Sequence, residues 1–168
     1  PRLIARIGIR SGDDEPIQAV ALRSQIRIEP LRRPYSDAEA EGLVDLFGPR
    51  ERWVNTQRTF LWQHSTAMVQ GFTGATEISL PLECTYDFEV AANKYFSALE
   101  NGEIPIVVQL SGTMFVRGAN GAVATELVPW TCEARYRLPV AVWRETMDAY
   151  FPNSAWIRID RDAFDELY

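Results

Sequence analysis

Apolar and polar residues alternate with a period of two along most of this chain, a pattern that predicts strands. Leu3, Ala5, Ile7 and Ile9 alternate with Arg2, Arg6 and Arg10. Ser11-Gly12-Asp13-Asp14-Glu15-Pro16 reads as a turn. Val20, Leu22, Ser24, Ile26 and Ile28 then alternate with Ala21, Arg23, Gln25, Arg27 and Glu29. These two runs read as a hairpin with one buried and one wet face. Phe60, Trp62, His64, Thr66 and Met68 form one face of a third strand, which turns at Gly71 to Gly74. Ile78, Leu80, Leu82, Cys84 and Tyr86 mark a fourth. Pro81 lacks an N–H, so that strand belongs at an edge or carries a bulge. Ile104 to Phe115 is apolar on both faces in its middle, as a central strand is. Gly118-Ala119-Asn120-Gly121 turns into Val123 to Val128. Trp130, Cys132, Ala134, Tyr136 and Leu138 complete the series, alternating with Thr131, Glu133, Arg135 and Arg137.

Helical spacing is rarer. Ser36-Asp37-Ala38-Glu39 is a capping box, followed by Ala40, Leu43, Leu46 and Phe47 and stopped by Gly48-Pro49. Pro139 opens a helix with Val140, Trp143, Met147 and Tyr150 on one side, ending at Pro152. Trp156 to Ile159 reads as a short strand, and Asp160 or Asp162 caps a last helix carrying Phe164 and Leu167. Asp87 to Leu99 fits both periods: Phe88, Ala91, Ala92, Tyr95, Phe96 and Leu99 suit a helix, while Phe88, Val90 and Ala92 suit a strand. Asn101-Gly102 is a two-residue hairpin signal and favours a strand for the first half of that segment. The expectation is a mainly β fold: an antiparallel β-sandwich of seven or eight strands with two or three short flanking helices. The alternative is one antiparallel sheet backed by the helices.

The chain has 168 residues, enough for one domain with a real core. It begins with Pro1 rather than Met and ends at Tyr168 inside an expected helix, so residues 1–168 read as an internal portion of a slightly longer chain. No apolar run approaches the ~18 residues of a membrane span. A net charge of −6 argues against general nucleic-acid binding, which needs clustered cations.

Candidate chemistry is sparse. The single histidine, His64, has no nucleophile or orienting carboxylate close in sequence, so it reads as a partly buried side chain. Cys84 and Cys132 fall on inward stripes and read as core thiols. With His64 they leave a tetrahedral metal site one ligand short, so no metal and no cofactor is expected. Asp160, Asp162, Asp165 and Glu166 are placed as acids at a helix N-terminus are. Arg2, Arg6, Arg10, Arg23 and Arg27 lie on the outer face of the expected first hairpin, with Arg32 and Arg33 just beyond. Such a cluster either recognises an acidic partner or is a solvated sheet face. Trp53, beside Arg50 and Arg52 in an irregular stretch, is the tryptophan placed to be a surface anchor. The binding candidates are therefore Arg6, Arg23, Arg27 and Trp53, with no catalytic residue named.

Several strings together resemble a known family: Arg27-Ile28-Glu29-Pro30, Tyr35-Ser36-Asp37, Gly71-Phe72-Thr73-Gly74, Cys84-Thr85-Tyr86-Asp87, Ser111-Gly112-Thr113 and the stretch from Tyr136 to Arg144. They resemble an uncharacterised, largely actinobacterial family encoded near nickel–iron hydrogenase genes. The resemblance implies a cytoplasmic accessory protein for hydrogenase assembly or regulation, with a protein partner that is a hydrogenase component. Leu138 to Tyr168, and Tyr86 to Phe115, are also similar to SecB-type export chaperones, which implies the one-sheet α+β alternative. That likeness departs at Arg161-Asp162-Ala163, where the chaperones carry Pro-Asn. The functional expectation is a non-enzymatic binding or accessory protein. Its rivals are an enzyme with a site near His64 and a structural subunit of a larger complex.

Overall fold

The computed structural model describes residues 2–12, 15–85, 90–118, 120–154 and 159–167. The fold is mainly β, with seven antiparallel strands in two sheets and a few short helices. In chain order the strands are β1 (Arg2–Arg10), β2 (Ile17–Ile28), β3 (Phe60–Phe72), β4 (Ala75–Glu83), β5 (Glu103–Arg117), β6 (Val123–Leu127) and β7 (Glu133–Pro139). The helices are α1 (Asp37–Gly42), α2 (Val44–Phe47), α3 (Trp53–Thr56), α4 (Val90–Ala98), α5 (Val140–Tyr150) and α6 (Arg161–Asp165).

The larger sheet runs β3-β2-β5, and both β6 and β7 pair with the far side of β5. β7 takes the first half of β5, from Glu103 to Gln109, and β6 the second half, from Thr113 to Arg117. The smaller sheet is β1 with β4. The expected hairpin of the first two strands is therefore absent: β1 leaves for the smaller sheet, and β2 becomes the centre of the larger one.

Pro81 explains much of this split. β3 and β4 are joined by a tight turn, yet they share no ladder. Side chains of β3 serve β4 instead: Ser65 Oγ donates to the Pro81 carbonyl at 3.0 Å, and the Gln63 amide pairs with both the N–H (2.9 Å) and the carbonyl (3.2 Å) of Glu83. With no N–H at Pro81, the β3-facing edge of β4 cannot sustain a ladder. The expectation of an edge strand holds in this form.

Asn101-Gly102 turns a helix into a strand. Residues 90–98 are α4, and Ala92, Tyr95, Phe96 and Leu99 are wholly buried along its inner side. Burial of that 3.6-period stripe outweighs the hairpin reading for the described part of the segment. Gly102 takes a φ of +77° and its carbonyl accepts from Val140 N at 2.9 Å, so the turn also anchors the start of α5. Residues 86–89 lie outside the described residues, as does most of the expected strand at 156–159.

The core fills the space between the sheets. Val20, Leu22, Ile26 and Ile28 of β2 face Ile78, Leu80 and Leu82 of β4, with α4 and α5 closing one end. Aromatic rings continue it, with Trp62 edge-on to Phe96 at 5.0 Å and Phe96 tilted against Trp143 at 5.2 Å. A bulge in the β2–β3 register, between Ile26 and Arg27, changes the phase of β3. Trp62 is buried while His64 stands exposed, so the two do not share a face as their spacing predicts.

Below the helices sits a buried polar knot. The capping box forms as expected: Glu39 N donates to Ser36 Oγ, and Ser36 N to Glu39 Oε2, both at 3.1 Å. Glu39 Oε1 also accepts from Arg33 Nη2 at 2.7 Å and from Glu100 N at 2.9 Å. Arg33 is nearly as buried as its partner, not a member of a surface arginine cluster. Tyr35 donates to the Pro30 carbonyl at 2.8 Å, which spends its only hydrogen, so Tyr95 is the donor in the 2.7 Å Tyr95–Tyr35 bond.

Candidate binding cleft

One side of β1 and the outer side of β7 are among the strand edges that no described strand pairs. They border a single cleft of about 520 Å³. Ile26, Ile106 and Val108 of the larger sheet form its floor, Leu3 to Gly8 of β1 form one wall, and Ala134 to Tyr136 with Leu138 of β7 form the other. Val142 of α5 closes an end. The lining is dominated by aliphatic carbon.

The ladder fixes which backbone groups point into this opening. Pro81 and Glu83 aim their carbonyls at β3, so their partners in the register, Ile4 and Arg2, receive no ladder bonds from them. Alternation then turns the N–H and C=O of Ile4, Arg6 and Gly8 to the free edge. On the other wall, the Pro105 carbonyl accepts from Glu29 N at 3.0 Å, on the β2 side of β5. Its register partner Arg137, and likewise Arg135 opposite Val107, turn their peptide groups outward. The cleft thus lies between two rows of unladdered peptides.

Tyr136 shows what the gap exposes. It shares the inward parity of Ala134 and Leu138, yet it is 62% exposed because no strand covers it. Beside it the cleft opens into a smaller recess of about 260 Å³ lined by Arg32, Arg135, Arg137 and Glu29. Glu29 engages Arg32 at 3.0 Å and Arg135 at 3.5 Å. Arg135 also pairs with Glu133, and Arg137 lies 4.0 Å from Glu103, so each guanidinium of the recess has a carboxylate partner. Arg6 lines the opposite wall and makes no ion pair or side-chain hydrogen bond among the described residues.

Of the four residues expected to bind, the cleft holds Arg6 alone. Arg23 is exposed on the outer face of the larger sheet, between Thr66 and Ser111 in the register. Arg27 lies on that face too, donating to the Thr59 carbonyl at 3.3 Å and to Gln109 Oε1 at 3.5 Å. It flanks Val107, which is buried outside the main core. Trp53 is not a surface anchor. It is buried, its Nε1 donates to the Gly48 carbonyl at 2.8 Å, and its ring meets Tyr35 edge-on at 5.2 Å. Among the described residues the exposed tryptophan is Trp130, in a turn ahead of β7, at 91%. Period-2 spacing assigns it to the strand, but the strand begins at Glu133. Cys132, in the same turn, is partly exposed, whereas Cys84 is buried as expected, and burial pushes its thiol pKa up.

His64 is exposed and lines none of the cavities described here. Its cross-strand neighbour is Gln25, itself opposite Gln109. Among the described residues no three His, Cys, Asp or Glu side chains stand together as a metal site needs. No helix among them is long and apolar enough to cross a membrane.

The family described as "Family of unknown function (DUF6084)" matches residues 1–168, and the chain belongs to it. No curated protein and no solved structure matches the chain.

Proposed function

We propose that this member of DUF6084 is a non-enzymatic binding protein whose site is the cleft between β1 and β7. The observation that supports this most is an aliphatic floor left open between two unpaired strand edges. Folded proteins ordinarily cover such edges or blunt them, because unpaired peptide groups beside apolar surface attract other chains. The family resemblance names hydrogenase components as the first partners to try. The chemistry of the cleft is recognition: the unpaired Arg6 at the rim, carbon on the floor, and no nucleophile–base pair among the described lining residues.

The test uses an amphiphilic anion of suitable size, 1-anilinonaphthalene-8-sulfonate. Wild-type protein is expected to bind it in a saturable way at about one site. Ala134→Trp fills the cleft from the β7 wall and is expected to abolish that binding. Ala5→Trp does so from the β1 wall and serves if the first variant folds poorly. Dye binding unchanged in a cleft-filled variant with a wild-type melting temperature would contradict the proposal.

A further inference from the structure

We infer that the occupant of this cleft is an extended polypeptide segment that adds to the free edge of β1 as a strand, with apolar residues alternating with acidic ones. The inference rests on the cleft being the binding site and deepens that reading by naming the partner's chemistry.

The backbone selects a polypeptide. Ile4, Arg6 and Gly8 present donors and acceptors at strand spacing along one wall, and only another main chain matches such a row. A fatty acid would fill the carbon-lined volume but leave those groups to water.

The two faces of the site select the side chains. A strand lying along β1 points alternate residues inward and outward. Its inward residues meet Ile106, Val108 and Tyr136, so they are apolar. Its outward residues run beside Arg2, Arg6 and Arg10, the only charged side chains on β1. Across the cleft stand Arg135 and Arg137, exposed guanidinium groups that share Glu29, Glu133 and Glu103 as partners. Arg2 pairs with Glu83, but Arg6 and Arg10 have no carboxylate partner among the described residues, and carboxylates on the entering strand complement them.

The same arginines disfavour a second copy of the chain. Antiparallel pairing of two β1 edges centred on Arg6 puts Arg6 against Arg6, and Arg2 against Arg10. Like charges directly opposite on neighbouring strands repel. Edge cations of this kind are a known guard against self-association, and they leave an acidic strand free to enter.

The experiment uses three capped synthetic octapeptides: one alternating glutamate and valine, one alternating lysine and valine, and one with the four glutamates followed by the four valines. Each is titrated calorimetrically into the wild-type protein and into Arg6→Gln/Arg135→Gln, at low and at physiological salt. The alternating acidic peptide is expected to bind, more weakly at higher salt, and about tenfold more weakly to the double variant. It is also expected to slow amide exchange at Ile4, Arg6 and Gly8. The other two peptides are expected to bind at least tenfold more weakly. Equal affinity for the lysine peptide would overturn the inference, as would slow exchange of those three amides in the free protein. If the dye occupies the cleft while no peptide binds, or dodecanoate binds there instead, the strand inference fails and the cleft reading stands. If neither dye nor peptide binds, both fail.

Discussion

Replacing Glu39 by glutamine tests how the helical end of the molecule is held. Glu39 is 3% exposed, and its carboxylate accepts from Arg33, Glu100 N and Ser36 N. A glutamine keeps one acceptor oxygen. If that oxygen faces Arg33 and Glu100, the new NH₂ confronts the Ser36 N–H, donor against donor. The larger loss is charge: Arg33, with a side chain only 6% exposed, keeps a buried cation without its counter-ion. Removing one partner of a buried pair costs about 3–5 kcal/mol. Arg33 retains the Pro34 carbonyl at 3.1 Å, the Asn101 carbonyl at 3.3 Å and the Tyr35 ring at 4.9 Å, which places the loss near the low end, about 3 kcal/mol. The pH dependence follows from the carboxyl itself. Burial works to raise its pKa, but the N–H groups of Glu100 and Ser36 together with Arg33 outweigh burial and hold it below the ordinary value. A depressed carboxyl stabilises the fold fully above its unfolded-state pKa, and the stabilisation is lost as pH falls through the native value. Urea denaturation should therefore show Glu39→Gln about 3 kcal/mol less stable at pH 7, with the gap narrowing below about pH 4 as the wild type protonates. A loss under 1 kcal/mol at pH 7, or a gap unchanged at low pH, would refute the reasoning.

Gly112→Ala should destabilise by at least ~3 kcal/mol in the same assay, because φ is +146° and a Cβ would lie 2.1 Å from the Ala21 carbonyl oxygen in the central ladder. A loss below 1 kcal/mol would mean that the ladder yields there. Burial raises the hydroxyl pKa of both Tyr35 and Tyr95, Tyr95 to about 12, so both are neutral in the fold well past the ordinary tyrosine range. Their contribution is present below about pH 10 and is lost as pH rises further, and ultraviolet titration should show these two ionising only with unfolding. Early ionisation of all six tyrosines in folded protein would contradict this. A thiol reagent should label Cys132 in the native protein much faster than Cys84, with equal rates in denaturant.

Much of the secondary structure is legible because each strand carries its own alternation and each cap its own residues. The Ser36 capping box, the Asp160 cap and the strands from Arg2 to Arg10 and Glu103 to Arg117 are local statements. What the pattern does not carry is which edge meets which. β1 and β2 look like a hairpin, but β1 pairs with a strand some seventy residues away. One extra residue in β3 turns His64 to solvent while Trp62 stays in the core, and a period-2 reading cannot see a bulge in advance. Arg33 reads as a surface cation because its partner, Glu39, is identified in sequence only as a cap. The cleft is the extreme case. It is a gap between edges from opposite ends of the chain, so the sequence marks Arg6 as a candidate while Arg135, Arg137 and Tyr136 read as an ordinary strand.

The most direct measurement of the central claim is an amide and methyl NMR map recorded while the alternating acidic peptide is added. The account predicts shifts along Leu3 to Gly8 and Ala134 to Leu138, with the methyls of Ile26, Ile106 and Val108 moving as the cleft fills. Shifts gathered instead around Met68, Leu127 and Trp130, three of the exposed apolar side chains away from the cleft, would contradict it.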